Sequence, residues 1–522
     1  EAQLRKAKEK GVEPPTTKKI WVCDDWGPYL EALREGDVRI ADPQKEKRKD
    51  EPLRAHVKEI ADRVGYALKL TDGGAISTDK EVIGDLEDLD PLLKIYGHRQ
   101  KLQKLVSTDL PRMEWPKGSG QFSDVVHFPF NILVKTTRTS SRTNDKYPSG
   151  NGQQVHPKVR GCFVPRPGNV LCSVDYSSLE LVCVAEITYN LFGEESVHWQ
   201  KVNADYNMHA FLGAQLAASL DPEFSTWCED LGIDLTNFDD VYGAFMLLKK
   251  ENPEFFGAWR KLAKPTGLGF PGGLGPKTML EFAKNNYGVN FITIAEDRAE
   301  EHPEEFDEPT KSVLWHANDL YEMKPADFEW NPTLRGIQLA SLIRDNVWHA
   351  TYPEMRPYFK HISDDCIDEV NPVIGHDEES GREIAGLCYT TPLGMFRAAC
   401  SFTACANGKA MQSPAAEGAK NAVFNAVRAV RDATCQSILY GCRVVNFVHD
   451  ELIFELPDEG PDSLHDRATE IQRIMEDSMS VVIKHTKVKT EAALMRRWKK
   501  EADPVFDAEG RLTIWEEEPV LA

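Results

Sequence analysis

Two short apolar runs in this chain end on carboxylates, and their pairing limits the possible folds more than any other feature of the sequence. Val170-Leu171-Cys172-Ser173-Val174 leads directly into Asp175-Tyr176-Ser177-Ser178-Leu179-Glu180. Arg443-Val444-Val445-Asn446-Phe447-Val448 reaches a His449-Asp450-Glu451 tip, and Leu452-Ile453-Phe454-Glu455-Leu456 returns from it. This texture predicts strands, the last two joined as a hairpin. An aspartate at a strand end is commonly a turn former. If the two ends are neighbours in one sheet, however, Asp175 and Asp450 can share a pair of hard cations through oxygen ligands, as Mg²⁺ prefers. Two such ions clamp the attacking and leaving oxygens of an in-line phosphoryl displacement.

A third element is Arg260-Lys261-Leu262-Ala263-Lys264. Arg260 and Lys264 stand four residues apart, so on a helix they project from one face. Two like charges there repel unless an anion lies between them, and a triphosphate is a natural candidate. Alone, the pair reads equally as two exposed basic residues on an ordinary helix.

Charge first points away from nucleic acid. The net charge of −21 over 522 residues opposes wholesale phosphate neutralisation, which needs Lys and Arg. The charge is segregated, however. Residues 126–170 hold seven bases (Lys135, Arg138, Arg142, Lys146, Lys158, Arg160, Arg166) against Asp145 alone, whereas residues 296–330 hold twelve acids against three bases. The 41% hydrophobic and 28% charged content is that of a globular protein, and the length suits about two to four packed units. No stretch approaches the roughly 20 apolar residues of a membrane span. Eleven cysteines without a CxxC pair argue against a zinc ribbon or a disulfide framework and suit a reducing, cytoplasmic setting. Beginning at Glu1, the sequence reads as a piece of something longer. Residues 1–49 read as a peripheral extension, and the Asp24-Asp25 pair within them as a capping or turn feature.

Helical periodicity runs through 52–110, with Lys101 and Lys104 among the apolar positions of its second stretch. A satisfied amphipathic helix pair accounts for that pattern, as does an arm gripping a phosphate backbone. Helical texture returns over 205–370, a hairpin is expected around Thr391-Pro392-Leu393-Gly394, and a helix over 414–436.

In this order along the chain, from about residue 85 onward, these elements resemble the family A DNA polymerases, the group of bacterial DNA polymerase I and its phage relatives. Asp175-Tyr176-Ser177-Ser178-Leu179-Glu180-Leu181 is similar to the family's motif A, and Phe447-Val448-His449-Asp450-Glu451-Leu452 to motif C. Thr136-Thr137-Arg138-Thr139-Ser140-Ser141 resembles the upstream Thr-Gly-Arg-Leu-Ser-Ser element, and Arg160-Gly161-Cys162-Phe163-Val164-Pro165 the Arg-x-x-Phe-x-Pro that follows. Met411-Gln412, with Ala415, Ala416 and Lys420, is similar to the helix before motif C.

The resemblance implies an α/β (α+β) right-hand fold: a helical thumb over 50–125, a palm with an antiparallel sheet over 126–204 and 376–522, and helical fingers over 205–375. It implies template-directed addition of deoxynucleotides to a primer 3′-OH, with pyrophosphate released. Asp175, Asp450 and the backbone carbonyl of Tyr176 would hold two Mg²⁺ ions, for which Mn²⁺ could substitute, and Glu451 would be a supporting acid. Arg260, Lys264 and His209 would hold the dNTP triphosphate, with Lys264 assisting protonation of the leaving pyrophosphate. Glu180 and Tyr176 would line the sugar pocket, Glu180 clashing with a ribose 2′-OH. Arg138, Gln412 and His449 would meet the primer terminus, with Lys101 and Lys104 on the primer-template backbone. Replisome proteins such as a helicase/primase or a processivity factor are expected partners, and no membrane is. A viral source would place the protein in the host cytoplasm. Two alternatives stay open, RNA-templated (reverse transcriptase) synthesis and a non-catalytic, polymerase-derived DNA-binding protein. No exonuclease can be placed in the residues before the helical arm.

The chain departs from the family at motif B, Arg-x-x-x-Lys-x-x-x-aromatic-Gly-x-x-Tyr-Gly. The aromatic position holds Leu268, the tyrosine position Gly272, and Pro265 follows the lysine. Proline in a helix interior costs about 3 kcal/mol or more, and Gly267, Gly269, Gly272, Gly273 and Gly275 add to it. The residues beyond Lys264 are therefore not expected to form a regular helix.

Overall fold

The predicted hairpin forms from strands Arg443–Val448 and Glu451–Pro457, and strand Asn169–Tyr176 lies antiparallel against its second arm, pairing Asn169 with Pro457 through Val174 with Leu452. The computed structural model describes residues 51–516, apart from 65, 67, 69, 72, 73, 88, 115, 117–120, 122, 133, 135, 136, 145 and 377–382. The extension over 1–49, with Asp24 and Asp25, lies outside the described residues, as do Thr136, Lys135 and Asp145. Residues 1–59 and 60–522 are separate units. The described part of the first is the opening of helix Glu51–Val64.

In the second unit a six-stranded sheet runs in the order Val505–Phe506, Leu512–Trp515, Thr490–Met495, Asn169–Tyr176, Glu451–Pro457, Arg443–Val448. Its pairings are antiparallel except that of Thr490–Met495 with Leu512–Trp515, which is parallel. Both faces are covered, so the central strands read as nearly continuous apolar runs. On one face Val170, Cys172, Val174 and Phe454 pack with helices Ser413–Arg431 and Pro461–Met479. On the other, Leu171, Ile453 and Met495 pack with Met113, Val155 and Trp498. The α+β class expected from the sequence is the class observed, with Asp175 on the sheet and Asp450 in the turn of its hairpin.

Between Leu179 and Asp365 the chain is helical, around a core in which Phe211, Phe270, Trp348 and Tyr358 are fully buried. The expectation for motif B is overturned from Pro265 to Gly269 and holds beyond, where Gly273 is left-handed and Gly275 caps the next helix. Helix Pro253–Gly269 runs straight through Pro265 and passes into the short 3₁₀ turn Phe270–Gly272. Packing outweighs local propensity. The Thr266 hydroxyl donates back to the carbonyls of Leu262 (3.1 Å) and Ala263 (3.2 Å), bracing the turn that contains the proline. The glycines are contact points rather than breaks: a Cβ on Gly267 would stand 3.4 Å from the Leu212 side chain, and one on Gly269 only 2.6 Å from that of Met279.

The partner surface has the same property. Helix Met208–Leu220 lies along Pro253–Gly269, and a Cβ on Gly213 would sit 3.3 Å from the backbone of Trp259 and Arg260. Backbone cannot swing aside as a flexible side chain can. Gly213→Ala is therefore expected to lower stability by about 1–3 kcal/mol, read as a fall in Tm. An unchanged Tm would mean that the two helices are not in this close register.

Candidate active site

The strand ends meet as the sequence requires. Beyond the last paired residues, Val174 and Leu452, the next positions are Asp175 and Glu451, with Asp450 one residue further on in the turn. On its other side Asp175 stands opposite Glu491 of strand Thr490–Met495. Four carboxylates thus gather at one end of the sheet. Asp175 keeps a solvent-accessible edge while its inner side is packed. Desolvation first, and then the Asp450 and Glu451 charges, push its pKa well up, against a hydrogen bond from the Tyr176 amide. Asp450 is raised too, again first by desolvation. Glu451 accepts a hydrogen bond from the Ser173 hydroxyl, and the buried Tyr176 anchors the strand by donating to the Met475 carbonyl at 2.6 Å.

Among the described residues no three His, Cys, Asp or Glu side chains converge into a metal cluster, so a cation here would rest on two aspartates, carbonyls and water. That donor set fits Mg²⁺, which keeps several waters and takes one or two protein carboxylates beside substrate phosphates. The raised proton affinity of both aspartates comes first from burial and then from neighbouring carboxylates, and a cation would offset both.

The backbone around this point is held in uncommon conformations. Thr137, Ser178 and His449 have φ of 63°, 54° and 60°, left-handed values that non-glycine residues seldom adopt and that gather at functional sites. Thr137 precedes Arg138, Ser178 caps helix Leu179–Phe192, and His449 forms the hairpin turn. The Arg138 loop is tied to the sheet through its neighbours. Gln153 Nε2 donates to Thr139 Oγ1 at 2.7 Å, and Asn446 Nδ2 to the Gly152 carbonyl at 3.1 Å. Arg138 itself pairs with Glu180 at 2.5 Å, so the residues expected at the primer terminus and at the sugar are joined to each other. His449 feels the charges of both, and also those of Arg160 and Lys500.

The basic group is assembled by the helix pair. His209 lies in the first turn of Met208–Leu220, whose N-cap Asn207 accepts from the Ala210 amide at 3.0 Å. Burial, then Arg260 and Lys264, lower its pKa to about 4. The ring is thus neutral at pH 7, and its buried Nδ1 has no partner among the described residues. Lys264 is lowered by burial and by Arg260 and Lys500. Among the described residues neither Arg260 nor Lys264 has a carboxylate partner. Two cations and a hydrogen-bonding ring thus lie within electrostatic reach of one another, with no carboxylate paired to either cation among the described residues.

Other expected residues are placed less tellingly. Gln412 ends the turn Gly408–Gln412 before helix Ser413–Arg431. Lys101, on helix Pro91–Lys104, pairs with Glu87 at 3.2 Å, which is the satisfied amphipathic reading, while Lys104 is exposed. The basic run over 126–170 is less free than its count suggests. Arg138 is paired, Arg166 is bonded to the buried Glu455, and Arg160 lies over the Trp498 ring at 4.8 Å. Two neighbours were not legible in the sequence. Lys500 follows the turn after strand Thr490–Met495, and Tyr287 ends helix Pro276–Tyr287, where burial and then the Glu180 charge push its phenol up to about 12. Neither lies in a motif, so only the fold brings them in. Gly272, where motif B has tyrosine, is packed so that a Cβ would meet Asn407 and Met411 at 3.2 Å.

No family model matches the chain. Among curated proteins it is similar to DNA polymerase I of Aquifex aeolicus (strain VF5), at 23% identity over 439 residues covering 83% of this chain and 55% of that protein. The chain therefore spans about half the length of this relative. Among solved structures it is similar to the POL domain of Pol1 from M. smegmatis, a complex with DNA primer-template and dNTP. That match has 16% identity, a TM-score of 0.47, and covers 95% of this chain and 64% of that one. The chain is thus similar in sequence to a DNA polymerase I over four-fifths of its length.

Proposed function

We propose that this chain is a DNA-templated DNA polymerase that joins deoxynucleotides to a primer 3′-OH and releases pyrophosphate. The observation that carries the reading is the meeting of Asp175 and Asp450 at one end of the sheet, together with the unneutralised group His209, Arg260 and Lys264. Phosphoryl transfer asks for positioning and charge stabilisation more than for covalent chemistry. Asp175, Asp450 and the Tyr176 carbonyl would hold Mg²⁺, or Mn²⁺ in its place. Bound there, the ions supply Lewis-acid stabilisation of the entering and leaving oxygens.

The protein's own groups do the rest. Arg260 binds the triphosphate as a bidentate fork, and the neutral His209 ring donates a hydrogen bond to it. Lys264, its pKa lowered by burial and by the Arg260 and Lys500 charges, hands a proton to the departing pyrophosphate. Glu451 supports the acidic end of the sheet, and Arg138, Gln412 and His449 face the primer. In this reading 126–204 and 376–522 form the palm, 205–375 the fingers and 50–125 the thumb, with Lys101 and Lys104 on its DNA side.

The Arg138–Glu180 ion pair holds the proposed sugar gate in place. Glu180→Ala is expected to raise ribonucleotide incorporation by about tenfold or more, the scale on which a pocket discriminates one hydroxyl. Competition between ribo- and deoxynucleotides in primer extension measures it, and unchanged selectivity would remove Glu180 from the sugar pocket. Extension assays that cross DNA and RNA templates with both nucleotide types test the whole reading. DNA-templated deoxynucleotide addition supports it. Efficient use of RNA templates alone would favour the reverse transcriptase alternative, and metal-dependent duplex binding without pyrophosphate release would favour the non-catalytic one.

A further inference from the structure

Four bases stand within five residues at Arg496-Arg497-Trp498-Lys499-Lys500, on a chain whose net charge is −21. None of the four lies in a motif. The segment leaves strand Thr490–Met495 at Met495, which pairs with Leu171, and so begins toward the end of the sheet opposite Asp175. Arg496 is fixed there by Asp458 at 3.2 Å, next to Pro457, the partner of Asn169. Onward, the segment is laid against the loop that precedes strand Asn169–Tyr176. Arg497 Nη1 donates to the Gly161 carbonyl at 3.1 Å, the Trp498 amide donates to the Phe163 carbonyl at 3.0 Å, and a Cβ on Gly161 would stand 3.3 Å from the Lys499 side chain.

Trp498 anchors this ridge. It is 2% exposed, meets the Phe163 ring edge-on at 5.8 Å, carries the Arg160 guanidinium on its face, and shares an apolar layer with Val448, the residue before His449. Arg497 and Lys500 are exposed, and among the described residues neither pairs with a carboxylate. The Lys500 charge reaches both His449 and Lys264, in keeping with a ridge that runs from the far end of the sheet toward the catalytic end. Four chain steps span at most about 14 Å, the axial rise of about four nucleotides of one DNA strand. Bases fixed by a buried anchor, unpaired and set in line with the primer site, suit a regular row of phosphates, which positions a duplex without reading its sequence.

Resting on the polymerase reading for the identity of the ligand, we propose that Arg497 and Lys500 form a rail that grips the phosphate backbone of the duplex as it leaves the site.

The test is the salt dependence of primer-template binding by the full chain. Each phosphate contact contributes about 0.9 to the slope of log affinity against log salt for duplex DNA. Lys500→Ala is therefore expected to reduce the slope by about 0.9, and the double variant Arg497→Ala/Lys500→Ala by about 1.8. Lys484→Ala, which removes an exposed base outside the ridge, should leave the slope unchanged. Extension in the presence of excess unlabelled duplex should stop earlier in the double variant. Arg497 also holds the Gly161 loop, so circular dichroism checks the fold. Lys500, with no hydrogen bond or ion pair among the described residues, keeps the single variant decisive. A slope unchanged in both variants would overturn the rail, and is the result expected if the ridge docks an acidic protein instead. A parent chain that binds duplex with the full slope yet adds no nucleotide would sink the polymerase reading and leave the rail standing.

Discussion

Asp175→Ala and Asp450→Ala are each expected to lower the rate of primer extension by about a thousandfold or more, while duplex DNA is still bound. The size follows from the chemistry. Each aspartate would contribute to charge stabilisation that exists mainly in the transition state, and about 4 kcal/mol lost there is a thousandfold in rate. Binding of the duplex spreads over phosphate contacts that neither residue makes. Removing either carboxylate also relieves repulsion at the end of the sheet, so both variants should be at least as stable as the parent. Single-turnover extension, with gel-shift binding and Tm as companions, separates these outcomes. Extension that survives both substitutions would sink the assignment of this end of the sheet as the catalytic centre.

Arg260→Ala and Lys264→Ala are expected to divide along different parameters. Arg260 would hold the triphosphate equally before and during reaction, so its loss should raise the KM for dNTP with kcat little changed. Lys264 would act on the leaving group, so its loss should lower kcat by roughly a hundredfold, the usual scale of general acid catalysis. The pH profile adds a reading that a structural role would not. With Lys264 present, its lowered pKa places an alkaline fall in kcat below the ordinary lysine range, and that limb should vanish in Lys264→Ala. Equal KM effects from both variants, with the alkaline limb retained, would reduce Lys264 to a second anion anchor.

Three of the sheet's six strands were legible because they carry continuous apolar runs with carboxylates at their ends, and period and punctuation survive in any single sequence. Val170–Val174 and the hairpin around Asp450 are of that kind. What local signals misread was the stretch beyond Lys264. Pro265 and five nearby glycines spell a broken helix by propensity; packing against Leu212 and Met279 carries the helix through Pro265, Gly267 and Gly269, and it ends before the other three. The acidic pair and the Arg260–Lys264 spacing were visible as motifs. The pairing of Arg138 with Glu180 was not, since it joins residues 42 positions apart and no pattern announces it. Tyr287 and Lys500 were hidden for the same reason. Charge counting misled in a further way, because Arg166 and Arg160 in the basic run serve Glu455 and Trp498 inside the fold.

The contact at Gly213 has a mechanical consequence. Two helices that touch backbone to backbone have no pliable side-chain layer between them, so a displacement of one is inherited by the other. His209 rides on the first helix, and Arg260 and Lys264 on the second. The three groups therefore behave as a gauge of fixed spacing. If the three hold a triphosphate as proposed, the gauge would be carried to the nucleotide whole rather than assembled upon it.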